Sequence, residues 1–177
     1  MLHNQISSII NPVICNSKIT HTDYLSRLGE GSLTRDENQQ THFCVYFLPY
    51  NETAKKVFIV HHKKANLWIA PGGHIDEGEN LYQTLNREIY EELGVKNFFS
   101  ELPAPFLCTI TPIQAKNLTC QKHYDIWFLM RTDGANFNVD PKEFYDTKWM
   151  NINEASDIVI DSANVSALNV LRNKIML

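Results

Sequence analysis

The sequence predicts a mixed α/β domain preceded by a helical lead-in. Two observations carry this reading. From about residue 41 onward, short β-branched and aromatic runs are interleaved with segments of helical periodicity. The first 40 residues carry only helix-type and loop-type patterns. At 177 residues the chain fits one domain. A chain of this length buries about 70% of its unfolded surface, so it needs no disulfide or metal merely to fold.

Ile6, Ile9, Ile10 and Val13 keep helical spacing, and Pro12 would kink or end that helix. Thr22 is the expected cap of a second short helix through Tyr24, Leu25 and Leu28, stopped at Gly29 or Gly31. Thr34 to Thr41 is polar and reads as a loop. Phe43–Tyr50 and Lys56–His61 read as strands joined at Asn51-Glu-Thr, and Leu67–Ala70 as a short third strand ending in Pro71-Gly72-Gly73. A helix is expected over about Asn80–Leu93, with Asn80 and Gln83 forming a capping box and Gly94 ending it. Further strand candidates are Val95–Phe99, Phe106–Thr111, His123–Arg131 and Thr147–Ile152. A last amphipathic helix begins near Ser162 and carries Val165, Leu168, Leu171 and Ile175 on one face.

Composition narrows the function. Hydrophobic residues are 44% and charged residues 20% of the chain, which sets disorder aside. With 16 Lys+Arg against 20 Asp+Glu, the net charge is −4, against the basic excess of a nucleic-acid or anionic-membrane binder. No apolar stretch reaches the ~18 residues of a membrane span. Cys15, Cys44, Cys108 and Cys120 form no CxxC pair and read as free thiols in a reducing compartment. Met1–Cys15 lacks Lys and Arg and makes a poor signal peptide. A cytoplasmic location is the expectation. The triplets at Asn51, Asn117 and Asn164 match a glycosylation pattern that carries meaning only in a secreted chain.

The middle helix is unusual. Leu81, Leu85 and Ile89 form its apolar stripe. Glu88 and Glu92 fall on the edge of that stripe, with Glu91 beside them. Two such charges ~6 Å apart repel by about 3 kcal/mol at an effective dielectric of about 20. No lysine is adjacent, and Arg87 is expected to point away from Glu88. A hard divalent cation would relieve the repulsion. The preceding loop, Gly72 to Asn80, has the GxxxxG spacing of a phosphate-binding loop at Gly73 and Gly78. Glu79-Asn80 stand where that motif needs Lys-Ser/Thr, so direct phosphate binding fails.

Gly73, five residues, Glu79, seven residues and then Arg87-Glu88-Ile89-Tyr90-Glu91-Glu92-Leu93-Gly94-Val95 resembles the Nudix box, GX5EX7REUXEEXGU, with U a bulky aliphatic residue. All seven fixed residues match, and so do both aliphatic positions. With Gly and Glu each about 7% of residues, chance agreement at a given start is on the order of 10⁻⁹. The resemblance implies a Nudix α/β/α sandwich with a mixed sheet over residues 41–177, with residues 1–40 a helical extension packed on it.

It also implies the chemistry. Glu88, Glu91 and Glu92, with the carbonyl of Gly72, are similar to the ligands that hold Mg²⁺ (Mn²⁺ being the alternative) in a Nudix hydrolase. Glu79 and Arg87 resemble the pair that ties the loop to the helix and orients the ligands, and Gly73 would serve a tight turn. Catalysis would rest on Glu88, Glu91, Glu92 and Arg87, with Glu91 or Glu92 as base. A later-loop acid, Glu143 or Asp146, is the other base candidate.

His74, His123, Asp125 and Glu143 are candidate substrate contacts, His123 and Asp125 sharing one strand face with Tyr124, Ile126 and Phe128 turned to the core. Lys63 and Lys64 read as a hairpin tip. Tyr46, Phe47, Trp68 and Trp127 are more readily core than base-stacking groups. The implied partner is a small, nucleotide-like diphosphate, hydrolysed by a monomer or homodimer. A non-catalytic diphosphate sensor is the rival from another class, although all box carboxylates are present. A diphosphate isomerase is the rival within the fold, and it needs a cysteine near the site.

Overall fold

The computed structural model describes residues 2–113 and 119–175. The elements run α1 (Leu2–Ile9), α2 (Lys18–Gly29), β1 (Thr41–Asn51), β2 (Lys56–His62), β3 (Leu67–Ile69), β4 (Gly72–His74) and α3 (Leu81–Leu93). They continue with β5 (Leu107–Pro112), β6 (Lys122–Arg131), β7 (Phe144–Asn151), α4 (Ile152–Ile158) and α5 (Ser162–Ile175). The sheet is mixed, with strand order β3-β2-β1-β6-β5. β1 and β6 run parallel in register from Thr41↔Lys122 to Tyr50↔Arg131. β1 and β2 pair only at their hairpin end, Tyr50↔Val57 and Asn51↔Lys56. Beyond it they diverge, so β4 pairs with β1 while β3 and β7 pair with β2.

Period-two alternation sends neighbouring residues of one strand to opposite faces. Phe43, Val45 and Phe47 of β1 and Ile126 and Phe128 of β6 meet Leu81, Leu85, Ile89 and Leu93 of α3, with Ile6, Tyr24 and Leu28 from α1 and α2. On the other face Leu48, Val57, Ile59 and Trp127 meet Ala155 of α4 and Ala163, Ala167, Leu168 and Leu171 of α5. Helices thus cover both faces, the α/β/α sandwich expected. The apolar face of α5 is set by Leu168 and Leu171 with small alanines, while Val165 is only partly buried.

Several elements differ from the expectation. Ser17, not Thr22, caps α2, accepting the Thr20 N–H at 2.9 Å. α1 ends at Ile9, which leaves Val13 85% exposed. Val95–Phe99 is no strand: Asn97 has positive φ, and the side-chain amide of Asn86 takes both the N–H and the carbonyl of Phe99. A ladder partner is replaced by a helix side chain. The short β4 and α4 are additional to the expected elements. Asn151 opens α4 with a capping box to Glu154, a signal present in the sequence.

The lead-in is tied to the sheet by buried polar groups. Arg27 donates to the carbonyls of Gly31, Ser32 and Thr41 at 2.6–2.7 Å and to Thr41 Oγ1 at 3.0 Å. The Tyr24 hydroxyl lies 2.8 Å from the Thr109 carbonyl and 2.6 Å from that of Asp125, bridging β5 and β6. From α1, Gln5 Oε1 accepts the N–H of Leu81, the first residue of α3, at 3.0 Å. Of the glycosylation-like triplets, Asn164 is buried and holds the Ala70 N–H at 2.7 Å, Asn51 caps its own turn, and Asn117 lies outside the described residues. Tyr24→Phe removes the bridging hydroxyl without a cavity. It should lower the urea-unfolding free energy by about 1 kcal/mol with an unchanged denaturant slope.

Candidate active site

The box helix begins where the sequence places it. Asn80 Oδ1 accepts the Gln83 N–H at 3.1 Å, and Gln83 Oε1 accepts the Asn80 N–H at 3.0 Å. At the far end Gly94 adopts φ 72°, the left-handed cap. The helix is thereby fixed at both ends, with its acidic edge turned toward β4.

Arg87 organises that edge. Its Nε donates to Glu79 Oε1 at 2.7 Å and its Nη2 to Glu79 Oε2 at 2.9 Å, a bidentate fork. Nη1 donates to Glu88 Oε1 at 2.7 Å and Glu91 Oε2 at 3.0 Å, and Nη2 also donates to the carbonyl of His74 at 2.9 Å. All five N–H donors of the guanidinium find an acceptor. The expectation that Arg87 points away from Glu88 is therefore corrected: the long side chain folds back over its neighbour. Thr84 Oγ1 donates to Glu79 at 2.8 Å. Burial works to raise the Glu79 pKa, but the bonds from Arg87 and Thr84 outweigh it and hold the carboxyl below its ordinary value.

The three ligand-type glutamates differ in setting. Glu88 and Glu92 are buried, while the Glu91 side chain is 55% exposed. Burial pushes the Glu88 carboxyl up to about 7, against the lowering effect of Arg87. Glu92 is pushed well above its ordinary value by burial and by the nearby Glu88 charge. It accepts the Gly72 N–H at 2.8 Å, and among the described residues it has no cationic partner. Two buried carboxylates held close, one without a cation, together with an exposed third, make an oxygen-only donor set. That set suits a hard divalent ion of the Mg²⁺ type. Gly72 lies one residue from Gly73, and a Cβ at Gly73 would sit 2.7 Å from the Glu88 carboxyl carbon. Gly73 occupies strand β4 and not a turn, so its role is to leave room for Glu88.

Glu143 comes to the same end of α3. Its loop is bound there, with Asp140 N–H donating to the Glu92 carbonyl at 3.1 Å and Asn138 N–H to that of Leu93 at 2.7 Å. The Glu143 charge contributes to the raised Glu92 pKa. Asp146, the other later acid, is exposed beside Lys148 at 3.3 Å. Lys64 lies 3.8 Å from Glu143, and the Lys63 ammonium donates to the Pro141 carbonyl at 2.6 Å. The basic hairpin tip thus meets the acidic loop.

The three remaining candidates lie on the other side of the sheet. His74 and His123 face each other there, Nε2 to Nε2 at 3.3 Å. Burial holds both imidazoles well below their ordinary pKa, to about 3 and about 4, with neighbouring histidines adding to the effect. Asp125 is 1% exposed and accepts from the hydroxyls of Thr109 and Thr111. Burial raises it to about 7. Asp125 is therefore buried, while His123 on the same face is only partly so. Among the aromatics, Phe47 and Trp127 are core, Tyr46 stacks on Trp127, and Trp68 is sandwiched by His61 and Lys148.

The family profile described as NUDIX domain matches residues 40–172. The chain belongs to the Nudix hydrolase family. An RNA pyrophosphohydrolase of Pelagibacter ubique is 30% identical over 122 residues, covering 60% of this chain and 74% of the relative. Nudix hydrolase 6 of Arabidopsis thaliana is 31% identical over 111 residues, or 59% of this chain and 37% of the relative. This chain thus spans less than half of that plant protein. An 8-oxo-dGTP diphosphatase of Buchnera aphidicola is 28% identical over 125 residues, covering 67% of this chain and 88% of the relative. In fold, a C. elegans Ap4A hydrolase superposes with a TM-score of 0.59 at 16% identity, covering 77% of this chain and 98% of that one. A MutT Nudix hydrolase from Burkholderia pseudomallei gives 0.58 at 19%, covering 73% and 97%.

In this Nudix protein the sequence located Glu79, Arg87, Glu88, Glu91 and Glu92 together, and the structure gathers all five. It did not locate Thr84, or Asp76, which stands 3.6 Å from Arg87. Arg87→Lys supplies at most three donors where five are used. Mn²⁺ affinity measured by calorimetry should fall about 10- to 100-fold, with the fold retained. For an ion held by Glu88 the carboxyl proton must leave first, so the same affinity should weaken as pH falls through about 7, by roughly tenfold per pH unit.

Proposed function

We propose that the protein is a Mg²⁺- or Mn²⁺-dependent hydrolase that cleaves the P–O–P linkage of a nucleoside diphosphate derivative by attack of water on phosphorus. The observation that carries the reading is the pair of buried carboxylates, Glu88 and Glu92, on one helix edge beside the exposed Glu91. Glu88, Glu91, Glu92 and the Gly72 carbonyl would hold the ion, which neutralises diphosphate oxygens and acidifies a water.

The residues of the chain do the rest. Glu79 holds Arg87 in place, and Arg87 fixes Glu88 and Glu91 relative to β4 through the His74 carbonyl. Glu91 is exposed and acts as the base that takes the water proton, with Glu92 and the loop acid Glu143 as alternatives. His74, His123 and Asp125, carried on the opposite face, are weaker substrate candidates than their sequence positions suggest. An isomerase is disfavoured because Cys44, the cysteine nearest the box strand, has a fully buried thiol raised well above its ordinary pKa by desolvation.

The substrate is a small nucleotide-like diphosphate and the protein a monomer or homodimer, with no nucleic-acid or membrane partner. Among the described residues no helix is long and apolar enough to cross a membrane. Free thiols at Cys15, Cys44, Cys108 and Cys120 support a reducing, cytoplasmic setting. Residues 1–40 serve as a helical extension of the 41–177 domain.

The test is phosphate and nucleotide release from a panel of nucleoside triphosphates, nucleotide sugars, dinucleoside polyphosphates and 5′-triphosphorylated RNA. Turnover should need Mg²⁺ or Mn²⁺, vanish with EDTA and drop at least ~10²-fold in Glu91→Gln. No turnover of any compound, with a raised melting temperature for one of them, would replace the hydrolase by the sensor.

A further inference from the structure

On the sheet face turned away from α3, three strands bring four soft or borderline ligand groups to one point. His42 and Cys44 alternate on β1, so both project to the same side. His123 of β6 stands opposite His42, and His74 of β4 stands opposite Cys44. One ligand atom from each of the four, an imidazole nitrogen or the thiol sulfur, lies within 4.8 Å of every other. The three rings crowd together with centroids 4.7–5.0 Å apart.

The spacing carries chemical information. Two nitrogens bound at about 2.0–2.1 Å to one tetrahedral ion stand about 3.3–3.4 Å apart. The observed Nε2–Nε2 separation of His74 and His123 is 3.3 Å. Among the described residues these two rings have no hydrogen-bond partner except each other. His42 is oriented from outside: its Nδ1 lies 2.9 Å from the Asn38 carbonyl, so that nitrogen carries the proton and Nε2 is left as the lone-pair atom. Cys120 Sγ, 3.8 Å from His42 Nε2, remains outside the group of four. Beside Cys44 in the ladder, Asp125 presents a buried carboxylate oxygen, Oδ1, with no partner, and a nearby cation would offset its charge. His42 and Cys44 are each 1% exposed, while His74 and His123 are partly open to solvent.

We propose that His42, Cys44, His74 and His123 form a second metal site, distinct from the box glutamates, that takes a zinc-type divalent ion in a tetrahedron of three imidazole nitrogens and one thiolate sulfur. Imidazole and thiolate select such an ion over Mg²⁺. Four protein ligands leave no open position, so the site is structural. On binding, the Cys44 thiol proton passes to solvent and the thiolate sulfur bonds to the ion. The ion would pin β4 to β1 and β6, and β4 is the strand whose other face carries Gly73 against Glu88. The proposal does not depend on the hydrolase reading.

The experiment uses the full chain, stripped with a chelator and titrated with Co²⁺ in saturating Mg²⁺ so that the glutamates are occupied. The expected result is one Co²⁺ per chain, with the intense visible bands of tetrahedral cobalt and a thiolate charge-transfer band, all displaced by Zn²⁺ and all retained in Glu91→Gln. Cys44→Ser should lose the charge-transfer band. A weak spectrum of octahedral cobalt, or a charge-transfer band that survives Cys44→Ser, would overturn the proposal. Should that variant fail to fold, Zn K-edge absorption on the native chain decides. Three nitrogens and one sulfur are expected, and a shell of oxygens alone refutes the site.

Discussion

The site depends on a single cation. Arg87 is the one positive charge within salt-bridge distance of Glu79, Glu88 and Glu91 among the described residues, and it reaches Asp76 as well. Without it the acidic edge of α3 would carry several like charges against a low-dielectric core, each pair repelling by a few kcal/mol. With it, the loop before α3, the helix itself and the carbonyl of β4 are joined through one planar group. The geometry of the fork matters as much as its charge, since a point charge cannot face a carboxylate side-on while also reaching two others.

What Arg87 leaves unneutralised is equally informative. Among the described residues Glu92 has a backbone N–H and no cation, in a setting where an ionised carboxylate is costly. Burial thus holds Glu88 and Glu92 in a state that favours protonation. The short strand β4 stands between this acidic chemistry and the imidazole cluster. Gly73 opens toward Glu88 on one side, and His74 projects to the other, one residue apart on a strand of three.

The periodicities that define the sandwich were legible in the sequence because they are local: Phe43–Tyr50, Lys56–His61 and the Leu81-Leu85-Ile89 stripe all appear as written. The box glutamates were legible for the same reason, being fixed by spacing on one helix. Val95–Phe99 misled because its apolar residues pack without a ladder, which depends on Asn86 folding across from α3. The direction of Arg87 misled because a backbone angle does not determine where a long side chain ends. The His42-x-Cys44 alternation was visible in the sequence. Its meeting with His74 and His123 depends on strand register, which no local pattern states. The hydroxyls of Thr109 and Thr111 that bond Asp125 likewise come from the neighbouring strand.

The side chain of Gln5 accepts the first N–H of α3, 76 positions further along the chain. A helix that carries three ligand-type carboxylates is thus started by Asn80 on one side and steadied by the amino-terminal helix on the other. Any fusion partner, affinity tag or proteolytic trimming that displaces α1 would leave this N–H without its acceptor and loosen the turn that aims the box. For the protein itself, α1 is a handle on chemistry far from it in sequence.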